Sequence, residues 1–175
     1  PSIRAELQSG LFASLPIFLG GIVNTIAIAG VAAWRHPVAP FTTWLLLEVA
    51  IAVLRLPVVI GGHRMLREGR KPPVATAAAL ACAWSASVGF GAWISVTSGD
   101  WVLAAIVCLS AAAMVCGTCL RNFGTPRLAA LMVFLTIAPC AVAGTFTTEP
   151  VVAIISFQLP VFFLTIFAAA FSLHR

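Results

Sequence analysis

Six continuous apolar runs, at 11–34, 41–62, 74–97, 101–120, 128–147 and 151–173, occupy most of this 175-residue chain. Each is long enough to cross roughly 30 Å of hydrocarbon as a helix. The rest of the composition agrees: 61% of residues are hydrophobic and 9% charged, where soluble domains carry about 25% charge. There are too few charges to cover a water-facing surface, so a soluble enzyme, a nucleic-acid binder and a secreted disulfide scaffold are all disfavoured. Membrane strands would show short alternating segments, whereas these runs are continuously apolar and rich in Ala, Leu and Ile. The expected fold is therefore all-α, an integral membrane bundle of six transmembrane helices forming a single domain over 1–175. The connections (35–40, 63–73, 98–100, 121–127 and 148–150) are too short to hold an extramembrane domain. The chain starts at Pro1 without Met and shows no cleavable signal pattern; it is expected to be a piece of a longer protein.

Charge placement gives the expected orientation. With the N-terminus cytoplasmic, the inner segments hold Arg4, Arg64, Arg67, Arg70, Lys71, Arg121, Arg127 and Arg175, eight of the ten basic residues. Arg35 alone falls outside, Arg55 lies within the second span, and the loop acids Asp100 and Glu149 fall on the outer side. Both tails are thus expected inside. The formal charge of +5 records orientation rather than a nucleic-acid partner. Trp34, Trp44, Trp93 and Trp101 map near outer span ends, where indole prefers the interface, and Trp84 is the exception at mid-span. Small residues four apart, Ser85 with Gly89 and Ala113 with Gly117, are expected to let helices approach closely. Pro16, Pro57, Pro139 and Pro160 predict bends.

Glu48 is the most informative single residue. It sits too deep in its span for a short side chain to reach water, so it must be protonated, paired with a donor such as Asn24 or Gln158, or facing a wet cavity that binds a cation or proton. Arg55 is seven residues on, on the same helix face but about 10 Å further inward, too far to bridge Glu48. Its stem is expected to extend toward cytoplasmic head groups, with pairing inside the bundle as the alternative.

The histidines and cysteines offer only weak metal candidates. His36 is expected outside and alone, while His63 and His174 both fall at inner span ends and read as interfacial residues. Cys116 and Cys119 form C-x-x-C without a second pair, and all five cysteines read as reduced packing residues. No phosphate loop, catalytic triad or deaminase signature is present, so no catalysis and no cofactor are expected within these residues. The compact polar segment Cys119-Leu-Arg-Asn-Phe-Gly-Thr-Pro-Arg127 lies at the turn between the fourth and fifth spans. There Arg121 and Asn122 can cap terminal carbonyls, Gly124 permits the turn, Pro126 starts the next helix and Arg127 faces head groups. Contact with a downstream domain is the rival role.

The opening Leu-Phe-Ala-Ser-Leu-Pro-Ile-Phe-Leu-Gly-Gly-Ile-Val-Asn (11–24), the Arg-Asn-Phe-Gly-Thr-Pro-Arg turn (121–127) and the closing Phe-Ser-Leu-His-Arg together resemble the N-terminal membrane module of bacterial GGDEF and GGDEF/EAL signalling proteins. The resemblance implies a sensory or regulatory module in the bacterial inner membrane, non-enzymatic itself and homodimeric. It implies that the last helix continues into a cytoplasmic diguanylate cyclase, with or without a cyclic-di-GMP phosphodiesterase. GTP and Mg would belong to that absent output domain, and none of its binding residues maps onto this sequence. The competing class is a small multi-span transporter or channel using Glu48 as a buried proton or cation site. Against it, Glu48 and Arg55 have no counterparts in the fifth span, as an inverted repeat would require. A membrane cytochrome would need converging histidines.

Overall fold

The apolar runs wind into helices because lipid offers no partner for a backbone amide or carbonyl, and a helix satisfies both internally. A computed structural model describes residues 12, 15–122, 125–147 and 149–173. Arg4, Glu6, Gly124, His174 and Arg175 lie outside them. All regular structure among the described residues is helical: α1 Leu15–Arg35, α2 Ala39–Arg67, α3 Val74–Thr97, α4 Trp101–Arg121, α5 Pro126–Thr145, a single turn α6 Pro150–Ala153, and α7 Ile155–Leu173. Five of these, α1 to α5, are long and apolar enough to cross a membrane, which makes this a multi-pass membrane protein by length and composition. The sixth apolar run differs from expectation. It is interrupted at Ile154 within a stretch where Val151, Val152, Ile154 and Ile155 are all β-branched, side chains that lose rotamer freedom in a helix. The described apolar part of its helix, Ile155–Ala168, is shorter than the other spans.

The helix ends show how the sequence punctuates the bundle. α2 runs five residues beyond the expected boundary, through Gly61 and Gly62 to Arg67. The residue that stops it is Gly69, at φ +70°, a left-handed conformation open to glycine; there the Gly69 amide bonds Leu66 O at 3.1 Å and the Arg70 amide bonds Met65 O at 2.8 Å. Gly99, at φ +77°, turns the chain from α3 into α4, and Asp100 caps α4 by accepting from the Leu103 amide at 3.1 Å. Pro126 stands at the first turn of α5, as its missing amide permits. Pro16 is the second described residue of α1; Pro57, Pro139 and Pro160 are inside their helices.

α3 and α5 form the centre of the bundle, with 56% and 50% of their apolar windows buried against 22% in α1 and α2. Small residues make this possible. A Cβ on Gly89 would collide with the Leu135 carbonyl oxygen of α5, so the Ser85/Gly89 face is a close helix contact as expected, and Thr136 adds a bond to Ser85 O at 3.4 Å. Gly91 receives the Trp44 ring and Gly62 the Phe12 ring with no room for a methyl. The Ala113/Gly117 pair behaves differently: a Cβ on Gly117 would meet nothing within 4 Å, so this pair borders a gap rather than a contact. Among the tryptophans, Trp34 is exposed as an interfacial residue would be, but Trp44 is 1% exposed. It is a core residue, because the face of α2 that carries it turns inward.

At one end of the bundle Asp100 joins two loops. Its Oδ2 accepts from Arg35 Nε and lies 2.9 Å from His36 Nε2. His36 is therefore not alone, since folding brings the α1–α2 loop onto the start of α4; its ring also stacks on Phe41, with centroids 5.4 Å apart. Arg35, His36 and the Leu103 amide hold the Asp100 carboxyl below the usual carboxylate range. The stabilisation this represents is present above that range and is lost as pH falls through it. Melting of the purified protein in micelles should accordingly show a stability loss below pH of about 4 that is smaller in Asp100→Asn, whose melting temperature starts lower. Gly91→Ala should destabilise by about 1–3 kcal/mol through overpacking against Trp44. Gly117→Ala should stay within about 0.5 kcal/mol of the parent, as read by denaturant titration.

Candidate functional site: a charged core organised by Trp84

The buried positions of α2 are Phe41, Trp44, Glu48, Arg55, Val59 and Gly62, spaced by threes, fours and a seven, so they line one helical face. Two of the six are ionisable. Glu48 is nine residues into α2, about 13 Å along the axis, and 1% exposed. Its Oε1 accepts from Trp44 Nε1 one turn earlier on the same helix at 3.3 Å, and its Oε2 from Trp84 Nε1 of α3 at 3.1 Å. The hydroxyls of Thr25 and Ser87 flank the carboxyl; Thr25 accepts the other share of the Trp84 N–H at 3.4 Å, and Ser87 Oγ falls short of a formed hydrogen bond. Two indole donors thus hold an acid for which lipid provides nothing.

Arg55 is 3% exposed, which overturns the expectation that it extends to head groups. Its helix face points into the bundle, where the guanidinium lies over the Trp84 ring at 4.5 Å and the Phe18 ring at 5.0 Å from the centroids. Stacking on aromatic faces suits a weakly hydrated guanidinium removed from water. Trp84 therefore serves both charges, giving its N–H to Glu48 and its ring face to Arg55. Arg121, at the end of α4, places its guanidinium over the same Phe18 ring at 5.1 Å, so α1 carries an aromatic residue between the two arginines.

These groups surround a cavity of about 230 Å³ lined by residues of α1 to α5, with Arg55, Arg121, Asn24, Thr118 and Asn122 as its polar members. The expected partners of Glu48 are elsewhere. Asn24 donates to Ser110 Oγ at 2.7 Å, because its face of α1 meets α4 rather than α2. Gln158 is exposed on α7 and borders a different cavity, of about 320 Å³, with Cys108 and Cys140. The turn motif is also revised. Asn122 closes α4 through its backbone, its amide bonding Thr118 O at 2.9 Å, but its side chain donates to Met132 Sδ at 3.4 Å instead of capping carbonyls. Arg121 turns back over Phe18. Pro126 stands at the start of α5 as expected, and Arg127 is exposed.

Among the described residues the weak metal candidates His63, Cys116 and Cys119 form no ion-holding group, and His174 lies outside them. His63 Nδ1 donates to the Phe12 carbonyl at 3.0 Å, tying α2 to the segment before α1. Cys116 is exposed and Cys119 half-buried. No group of three or more His, Cys, Asp or Glu able to hold an ion occurs among the described residues. Sequence reasoning missed the Cys108 and Cys140 thiols, 3.6 Å apart across α4 and α5, and the roles of Trp44, Trp84 and Phe18. For Trp84 a signal existed: an indole at mid-span needs a buried acceptor, and Glu48 was the one acid deep enough to serve.

Replacing Trp84 by Phe keeps a face for Arg55 but leaves Glu48 Oε2 without its donor, and should cost about 1–3 kcal/mol. In a double-mutant cycle with Glu48→Gln the two changes should couple by about 0.5–3 kcal/mol, measured by unfolding in micelles; additive effects would show that the bond contributes nothing.

No family model matches the chain, and neither the curated proteins nor the solved structures searched give a match.

Proposed function

We propose that the chain is a membrane-embedded sensory module that controls a cytoplasmic output domain, of the GGDEF or GGDEF/EAL type suggested by the resemblance, and that it resides in a bacterial inner membrane. The observation that carries this reading is the one-sided polar core. Glu48, Arg55 and Arg121 are set around Trp84 and Phe18, while Phe41, Trp44, Ala92, Val96, Leu103 and Val107 form a continuous apolar layer with α1 and α5. A conduit needs polar groups on both sides of its site; a receptor needs a pocket and a set of helices whose packing depends on it. The buried charges supply the second requirement, because any ligand or protonation change there must alter how α1, α2, α3 and α4 are held together, and so bias a two-state arrangement.

Six crossings with both tails cytoplasmic fit the same reading. α7 has 19 residues, a length of about 28 Å that approaches the hydrocarbon thickness. Arg64, Arg67, Arg70, Lys71, Arg121 and Arg127 gather at one end, whereas Arg35 at the other is neutralised by Asp100, which sharpens the charge asymmetry that sets orientation. In this reading the module itself is non-catalytic, GTP and Mg serve only the output domain, and the module pairs as a homodimer so that two output domains face each other.

The test is cellular cyclic-di-GMP in a strain carrying the native reading frame. Glu48→Gln should change the level by about fivefold or more, while the exposed Arg127→Lys should leave it unchanged. An unaltered level in Glu48→Gln, or Glu48-dependent uptake of a labelled solute into liposomes, would overturn the proposal.

A further inference from the structure

The cavity at the basic end of the bundle has the chemistry of an anion site. Both of its charged lining residues among the described ones, Arg55 and Arg121, are cations. The carboxylate that might have balanced them, Glu48, is outside the lining and engaged by two indoles. Arg55 is almost fully enclosed and its Nη1 has no hydrogen-bond acceptor. Aromatic faces supply part of what a buried guanidinium needs but do not accept its in-plane N–H bonds, so a buried positive charge is left with an unmet N–H in a low-dielectric setting that favours a further acceptor. The two guanidiniums both lie over one ring, Phe18, at 5.0 and 5.1 Å from its centroid. That geometry suits a group with several acceptor oxygens that can take a bond from each. Asn122, 3% exposed with Oδ1 unpartnered, adds an acceptor for a hydroxyl on the same ligand.

Access comes from the seam between α1 and α4. Gly20 and Gly21 on one side and Ala113 and Gly117 on the other line the cavity, and a Cβ on Gly20 or Gly117 would meet nothing within 4 Å. Ile17 and Ala113 line the cavity yet are themselves exposed, so the opening faces sideways, toward the bilayer, with Arg121 at its rim and Arg55 deeper. We infer that this cavity binds a phosphate-type oxyanion between Arg55 and Arg121, carried either by an anionic lipid head group entering through the α1–α4 seam or by free phosphate. The remaining lining is mostly apolar and accepts the first part of an acyl chain. The assignment rests on the cavity and its charges and stands whether or not a cyclase follows the module.

The experiment is thermal unfolding of the purified protein in maltoside micelles, titrated separately with inorganic phosphate, dioctanoyl phosphatidylglycerol and dioctanoyl phosphatidylcholine. A saturable rise in melting temperature with phosphatidylglycerol alone assigns the site to a lipid head group, and a rise with inorganic phosphate assigns it to the free anion; either supports the proposal. Arg121→Gln should weaken the effective probe by at least about tenfold, the loss of a charge-assisted bond. Gly117→Leu, which fills the seam and leaves both arginines in place, should do the same without lowering the melting temperature of the ligand-free protein to that of an unfolded variant. No shift with either anionic probe, an equal shift with phosphatidylcholine, or a shift that survives both substitutions overturns it.

Discussion

An indole has two unlike ends, and the core of this bundle depends on both belonging to one residue. Trp84 gives its N–H to Glu48 and its ring face to Arg55, so an acid and a base one and a half to two turns apart on α2 share a partner on α3 without touching. In a low-dielectric interior a buried charge left unpartnered costs several kcal/mol, and a direct ion pair would have demanded that both side chains bend along their own helix. Supplying the contacts from a neighbouring helix instead makes the α2–α3 packing and the partnering of Glu48 the same event, with the ring face meeting part of what Arg55 needs. Thr25 and Phe18 bring α1 into it, and Arg121 brings α4.

Around that centre, close packing and open space alternate by residue size. At Gly89 and Gly91 the backbone of α3 is pressed against Leu135 and Trp44, and no larger residue would fit. At Gly20 and Gly117 the same absence of a side chain produces a gap. Glycine in a membrane helix is therefore not a single signal: it permits approach where a neighbour's bulk points inward and leaves a portal where none does. The difference leaves a tight α3–α5 contact at Gly89 and an open lining of the Arg55–Arg121 cavity at Gly20 and Gly117.

Much of the fold was legible in the sequence. Continuous apolar length foretold the helices, the 98–100 connection fell where the chain turns at Gly99, and Pro126 stood at the start of α5. α2 overran its expected end because Gly61 and Gly62 are helical, and of these three glycines Gly69 is the one that takes a positive φ, a property of conformation rather than composition. Glu48 was legible as a residue needing a partner, since depth is readable from helix rise. Its partners were not. Asn24 and Gln158 were chemically suitable donors, but hydrogen bonding requires the right rotational setting of each helix, and α1 and α7 turn those amides to Ser110 and to the periphery.

What the chain's order of residues determined by itself is its solvent: apolar runs of bilayer length, sparing charges gathered at one end, and an acid and a base too deep to escape, all of which follow from local composition and helical rise. Which side chains meet at that depth was decided only by tertiary packing, because hydrocarbon solvates every apolar face of a helix alike and does not specify its rotation. The specification comes from the two groups that lipid cannot satisfy, and both turn to an indole thirty-six residues from Glu48 in sequence, a separation that no local pattern encodes.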